Sequence, residues 1–429
     1  MKTICALSSG EGGAIGVIRT SGDDAISIVS KIFKSAGSQS LTEAKGYSVH
    51  YGTIIANDAP LDDVVVIVYR APHSYTGEDS VEIMCHGSRY IIQQIIEQLT
   101  LVGCTLAAPG EYTQRAFLNG KMDLSQAEAV ADLIASSTEQ SHRLAMNQMR
   151  GDFSAQLKSL RTQLLEMTSL LELEIDFSEE DVEFADRKQL LSLAEVVDSV
   201  ITRLVDSFRA GNAIKNGIPV AIIGEPNVGK STLLNRLLHD DRAIVSEVRG
   251  TTRDTIEDTI TIDGILFRFI DTAGIHETDD VVESMGIERT KRKAHEAQII
   301  IMMKEPGVEY PSIETTEEQF VIQIENKTND FQALTGKGVS QLEQQLTEYA
   351  RQLQHTDSDV VVTNLRHVEA LRQAQAAIRK VETQLTDGTT GDIIALDLHE
   401  CIDSIAEIVG EVTSDDTLHS IFKNFCIGK

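Results

Sequence analysis

The chain has 429 residues, 41% hydrophobic and 24% charged, with a formal net charge of −28. That balance describes a soluble globular protein of about three domains. No apolar run approaches a membrane span, no segment is basic, and the five cysteines are scattered without a C-x-x-C pair, which argues against a membrane protein, a general nucleic-acid binder and a zinc or disulfide framework.

The opening MKTICALSSGEGG has no long apolar core and no cleavage pattern, so it predicts no signal peptide and a cytoplasmic location. Residues 1–121 carry short β-rich runs at Ala14–Arg19, Tyr51–Ile55, Val64–Tyr69 and Val81–His86, then a helix over Ser88–Leu101. Turn chemistry at Asn57-Asp58-Ala59-Pro60 and Ala71-Pro72 separates them, and the block predicts an α+β domain.

From Met122 the spacing turns helical. Leu157, Leu160, Leu164, Met167 and Leu171 form one apolar stripe, and Leu193, Val197, Ile201, Leu204 and Phe208 form another. Such stripes predict bundle cores. An acidic stretch, Asp176 to Glu183, reads either as a metal cluster or as a solvated helix start that favours the helix dipole. Helical patterning is expected to stop near Gly211–Gly217. It resumes after about residue 356, with helices over Leu365–Leu385, Ile393–Val409 and Thr417–Phe425. The economical arrangement is one bundle built from residues 122–215 and 356–429, with a nucleotide unit, 216–355, inserted into it.

That unit opens with a buried strand, Ile218–Ile223, which runs into Gly224-Glu225-Pro226-Asn227-Val228-Gly229-Lys230-Ser231 and a helix from Thr232. This fits G-x-x-x-x-G-K-[ST]. Glycines let backbone N–H groups turn inward around phosphate, Lys230 reaches the β and γ phosphates, and Ser231 ligates Mg²⁺. Downstream, strand 265–270 ends in Asp271-Thr272-Ala273-Gly274. There the Asp suits Mg²⁺ through water and Gly274 N–H suits the γ-phosphate. Gly250-Thr251-Thr252-Arg253-Asp254 supplies a threonine, Thr252, for the Mg²⁺ shell. The order matches a GTPase. Ile275 stands where a water-orienting Gln is common, so another group must do that work. Base reading falls to Asn326-Lys327-Thr328-Asn329, followed by Asp330. Asn329 brings one acceptor and two donors to a guanine edge that shows two donors, whereas Asp330 would serve only if the loop shifted by one residue.

Taken together, VIRTSG (17–22), YTGED (75–79), PGEYTQRAFLNGKMDLSQAEAVADLI (109–134), IDFSEED (175–181), GEPNVGKSTLLN (224–235), GTTRD (250–254), DTAGIHET (271–278), MGIER (285–289) and FCIGK (425–429) resemble the MnmE (TrmE) family of tRNA modification GTPases. The resemblance covers nearly the whole chain and is weakest from about 302 to 355. It implies a multidomain α/β and α protein. The parts are an N-terminal α+β tetrahydrofolate-binding-like domain (1–121) that also dimerises, a discontinuous helical bundle (122–215 and 356–429, ending in CIGK), and an inserted Ras-like P-loop G domain (216–355). It further implies GTP held by Asn227, Val228, Gly229, Lys230, Ser231, Thr232, Asp271, Thr272, Ala273, Gly274, Asn326 and Lys327. Lys230 and Glu283 would be catalytic, with Glu283 positioning the attacking water. Mg²⁺ would be held by Ser231 and Thr252. K⁺ would be held by Asn227, Thr251 and the Ser246–Val248 loop, at Ser246 and Val248. A tetrahydrofolate derivative (5,10-methylene or 5-formyl) would contact Arg19, Glu78 and Lys121, with Cys426 nearby.

The implied activity is K⁺-stimulated GTP hydrolysis in modification of C5 of the wobble uridine of tRNA. The implied partners are a second copy of the chain, an MnmG-type FAD protein in a heterotetramer, and tRNA, with no membrane. Two other readings stay open. One is a regulatory GTP switch in ribosome assembly or signalling. The other is a variant with impaired guanine selectivity, since Asn329 replaces the expected Asp and the segment between Met302 and Val321 leaves little room for a helix.

Overall fold

The computed structural model describes residues 1–10, 12–38, 40–176, 187–240, 258–270, 294–354, 360–423 and 425–428. Its strands are β1 (Ile4–Leu7), β2 (Ile15–Ser21), β3 (Phe33–Ser35), β4 (Ser48–Ala56), β5 (Ala59–Tyr69), β6 (Ser80–His86), β7 (Thr105–Leu106), β8 (Ile218–Gly224), β9 (Asp258–Ile262), β10 (Ile265–Phe269), β11 (Ile299–Lys304) and β12 (Phe320–Glu325). Its helices are α1 (Ala25–Ile32), α2 (Arg89–Leu101), α3 (Glu111–Leu118), α4 (Leu124–Ala135), α5 (Glu139–Arg150), α6 (Asp152–Asp176), α7 (Arg187–Asn216), α8 (Lys230–Asp240), α9 (Val339–Gln354), α10 (Leu365–Asp387), α11 (Gly391–Val409) and α12 (Asp415–Phe422). The chain packs as two units. One comprises Met1–Ile134, Met149–Ser154 and Ala406–Lys429, and the other Ala135–Gln148 and Ala155–Ile405.

In the first unit a sheet runs β3-β4-β5-β6-β2-β1-β7. All its pairings are antiparallel except β1 with β7. Helices α1 and α2 bury Val29, Ile95 and Leu99 against Ile18, Ile54, Val66 and Ile83, which makes the expected α+β layer. The β4–β5 turn holds Asn57 and Asp58 at φ 49° and 61°. Short polar side chains tolerate this region, and two such residues match the right-handed strand twist. Strands β1, β3 and β7 were not expected from the sequence. They have four, three and two residues, too few for alternation to show. Helix α12 closes the unit by packing Leu418 and Phe422 on Leu124 and Ala127 of α4. Beyond it, Gly110 N donates to Cys426 O at 3.2 Å, and Ser8 Oγ donates to Gly428 O at 3.0 Å.

In the second unit Leu157, Leu160, Leu164, Met167 and Leu171 of α6 are all buried, as their spacing predicts. On α7 the buried stripe is Leu190, Ala194, Val197, Ile201 and Leu204, whereas Leu193 and Phe208 are half-buried at its margin. Thr202 and Asp198 of α7 hold Gln375 and Arg379 of α10, at 2.7 and 3.0 Å. Helix α7 ends at Asn216, inside the stretch 211–217 where helical patterning is expected to stop. A Cβ at Gly211 would strike the Val362 carbonyl, so this glycine marks close backbone approach rather than a helix end. The acidic residues 177–183 lie outside the described residues.

A second sheet, ordered β12-β11-β8-β10-β9, follows α7. Strands β8, β10, β11 and β12 are mutually parallel where they pair, and β9 is antiparallel to β10. One face packs on Leu233, Leu234 and Leu237 of α8 and Leu342 and Leu346 of α9. The parallel β11–β12 connection, 305–319, contains no helix. Tyr310 and Ile313 from it instead pack on Ile300 and Met302. No helix among the described residues is long and apolar enough to cross a membrane.

Candidate phosphate-binding site

Apolar β8 is buried in mid-sheet and delivers its carboxyl end to residues 224–229, where α8 begins at Lys230. Residues at a strand's carboxyl end facing a helix N-terminus concentrate N–H groups on one point. Asn227 has φ 61° and Gly229 φ 103°, left-handed backbone that lets the loop curl back on itself, and Val228 N donates to Glu225 O across it at 3.4 Å. Lys230 Nζ donates to Gly224 O and Glu225 O, both at 2.8 Å, which folds the ammonium over the loop. Ser231 and Thr232 are half-buried in the first turn of α8. Val228 is buried among the core residues beneath the loop. The exposed Asn227 stands at the rim.

A second loop locks onto the first. Asn326 is buried at the end of β12, its Nδ2 donating to Val228 O at 2.7 Å while its Oδ1 accepts from Ala333 N at 3.0 Å. A Cβ at Gly229 would collide with Asn326 Nδ2, so only glycine lets the two loops meet. Lys327 Nζ donates to Asn227 O at 3.4 Å and pairs with Glu305. Thr328 Oγ1 donates to Glu325 O and accepts from Phe331 N, each at 3.1 Å. That turn leaves Asn329 and Asp330 exposed next to Lys327. The role of Asn326 as the tie between loops was not visible in the sequence, because residues 228 and 326 meet only through the sheet.

Five of the residues assigned to the nucleotide, Asn227 to Ser231, thus gather around one loop, with Thr232 behind it and Asn326 and Lys327 beside it. Asp271, Thr272, Ala273, Gly274, Glu283, Thr252, Ser246, Val248 and Thr251 lie outside the described residues.

In the first unit, Arg19 sits between the rings of Tyr75 and Tyr112, at 5.5 and 5.7 Å, and its Nη2 pairs with Glu82 Oε1 at 2.7 Å. Glu78 accepts from Arg115 Nη1 at 3.0 Å and from Ser21 Oγ at 2.7 Å. Arg115 in turn reaches Glu111 Oε1 at 2.7 Å and Lys2 O at 2.8 Å. Burial pushes the Tyr75 and Tyr112 phenols up, so both rings stay neutral. Lys121 Nζ donates to Pro72 O at 3.0 Å. Tyr75, Tyr112 and Arg115 fall in two polar stretches, 73–79 and 109–115, that read from the sequence as loop-like and chemically dense without individual roles, and Glu82 in neither; residues 111–115 instead open helix α3. The i,i+4 pair Glu111/Arg115 was the one signal available. Cys426 is the exposed cysteine, and the other four are buried.

Two family profiles match the chain. The one described as "GTP-binding protein TrmE N-terminus" covers residues 3–121, and "MnmE helical domain" covers 124–426. The chain is 52% identical to a tRNA modification GTPase MnmE of Bacteroides thetaiotaomicron over 461 aligned positions, covering 100% of this chain and 99% of the relative. It is 52% identical to that of Parabacteroides distasonis, with 100% of both covered, and 48% identical to that of Flavobacterium johnsoniae, with 100% and 99% covered. These alignments are longer than the chain's 429 residues, so each relative has residues that this chain lacks.

Proposed function

Because the chain belongs to the MnmE family of tRNA modification GTPases, we propose that it couples GTP hydrolysis to modification of C5 of the wobble uridine of tRNA. The observation that carries this reading is the lock between the phosphate loop and the Asn326–Lys327 loop. A nucleotide needs its phosphates and its base held at a fixed separation, and Asn326 fixes it through Val228 and Ala333.

Within this reading Lys230 leaves the carbonyls of Gly224 and Glu225 for the β and γ phosphates, and the first turn of α8 offers its N–H groups to them. The site's chemistry fits Mg²⁺ at the Ser231 hydroxyl, completed by Thr252. Asn227 is exposed at the rim, free to turn its amide oxygen toward a K⁺ shared with Ser246, Val248 and Thr251, a charge that would stabilise the developing transition state. Glu283 positions water, compensating for Ile275.

A folate one-carbon donor fits the first unit. Arg19 is stacked between two neutral rings, and Glu78 is held in place by Arg115 and Ser21. Lys121 has its ammonium at an exposed carbonyl it can leave. Exposed Tyr47, Val49 and Tyr51 beside and on β4 support a homodimer through this unit. An FAD-dependent partner and tRNA complete the proposed assembly, which acts in the cytoplasm, and the excess negative charge assigns much of the RNA affinity to that partner.

Two experiments test the proposal. GTP hydrolysis is compared in K⁺ and in Na⁺, and equal rates would overturn the Asn227 site. Nucleosides from the tRNA of a deletion strain are profiled, and unchanged wobble uridines would turn the reading toward a regulatory GTP switch. A second reading rests on Asn329. Without a carboxylate at this position guanine is selected weakly, which nucleotide titration with GTP, ATP and xanthosine triphosphate measures.

A further inference from the structure

The five-stranded sheet ends at β12, and among the described residues no strand pairs with the outer edge of that strand. Phe320 N donates to Gln298 O at 2.9 Å, and Asn326 N donates to Lys304 O at 2.8 Å. Both donors are even-numbered. The N–H and C=O of successive residues point to opposite sides of a strand, so Val321, Gln323 and Glu325 aim theirs away from β11; of these, the Glu325 carbonyl also accepts from Thr328 Oγ1 at 3.1 Å and has one lone pair left for a partner strand. A groove of about 240 Å³ lies alongside, between Ile322 and Ile324 of β12 and Gln341 and Leu342 of α9, closed at one end by Thr328 and Phe331 of the following turn.

Natural proteins blunt such edges with short strands, Lys, Pro, bulges or a covering segment. The sheet of the first unit ends in strands of three and two residues. Strand β12 has six, Phe-Val-Ile-Gln-Ile-Glu, with no Lys and no Pro, in an unbroken register with β11 from Ile299↔Phe320 to Lys304↔Glu325.

We propose that β12 pairs edge to edge with β12 of a second copy of this chain, antiparallel about a two-fold axis at Gln323. The strand is complementary to itself in that register. Ile322 of each copy faces Ile324 of the other, on the α9 side. Val321 faces Glu325, whose carboxylate is already paired with Lys304 on its own copy at 3.3 Å. Gln323 faces Gln323, and a primary amide carries both donors and acceptors. No like charges stand opposite one another. A one-residue slip would turn the isoleucines away from one another. The contact is isologous and closes on itself. Each copy carries a net charge of −28, so the contact tightens as salt screens the repulsion, whereas docking of a basic peptide would weaken.

The axis supplies the test. Gln323 presents its backbone groups to the edge, so the two copies meet there as a hydrogen-bonded pair, with Cα atoms about 5.5 Å apart, inside disulfide range. In the full chain with Cys426→Ser, mild oxidation of Gln323→Cys is expected to give a covalent dimer, and Gln341→Cys on the groove wall is not. Gln323→Pro removes an outward N–H and spares the ladder to β11, so sedimentation velocity should show loss of the associated species that the parent forms at raised salt. Should Gln323→Pro fail to fold, Gln323→Lys sets two ammonium groups face to face with the backbone donors intact and should give the same loss. Parent and variants that sediment alike, with no Gln323→Cys dimer, would overturn the proposal, as would association that weakens with salt.

Discussion

Arg115 shows how much one side chain holds together. It is buried, and its guanidinium serves Glu78, Glu111 and the Lys2 carbonyl at once. Removing one partner of a buried ion pair leaves an uncompensated charge, at a cost of about 3–5 kcal/mol. Arg115→Met is therefore expected to lower stability by that order in urea unfolding, with Glu78→Gln added to it recovering part of the loss. Asn326 makes the same kind of statement in the second unit. Asn326→Ala strips a buried carbonyl and a buried N–H of their partners, each worth about 1–3 kcal/mol when left unsatisfied. GTP binding by calorimetry should weaken at least tenfold, the equivalent of about 1.4 kcal/mol. At the base itself, Asn329→Asp is expected to raise the preference for GTP over xanthosine triphosphate, since a carboxylate accepts both N–H groups of guanine and an amide accepts one. An unchanged ratio would remove Asn329 from the base-reading role.

Among elements, the long ones were legible. The α6 stripe, Leu157 to Leu171, is buried as its spacing predicts. Leu164→Ala is expected to cost about 2–5 kcal/mol in chemical denaturation, because the hole it leaves sits in a packed helix face. Strand β8 with its loop and helix α8 was legible too, since each residue of the loop answers a local demand of phosphate geometry. What the sequence concealed depends on distant neighbours. That Gly211 makes room for the Val362 carbonyl shows only once the fold sets the two side by side. Arg115 reads as one more polar residue in a loop-like run until the sheet brings Glu78 to it. Strands of two to four residues give no period to read. The β11–β12 connection is a case between these. Its shortness predicts the missing helix, but nothing local says that Tyr310 and Ile313 would cover the sheet instead.

At the scale of the molecule, charge is the dominant fact. A net charge of −28 makes the folded chain repel itself, and salt screens that repulsion over a Debye length of about 8–10 Å at physiological strength. The midpoint of thermal unfolding is expected to rise between low salt and 200 mM NaCl, and a flat response would mean that local ion pairs already balance the excess. The division into two units was partly readable. Residues 1–121 stand out by their β-rich runs, yet no pattern in residues 406–428 announces that they pack with the N-terminal sheet rather than with the bundle.

That last placement bears on synthesis. The ribosome makes residues 1–134 early, but α12 and the carbonyls of Cys426 and Gly428, which dock on α4, Gly110 and Ser8, emerge after the entire second unit. The N-terminal unit therefore waits, with the apolar face of α4 at Leu124 and Ala127 uncovered, while the other unit is translated and folds. Its completion is a loop closure between opposite ends of the chain, the slowest kind of contact to find. Nascent chains stalled before residue 406 should accordingly stay protease-sensitive around α4 long after the phosphate loop has become resistant.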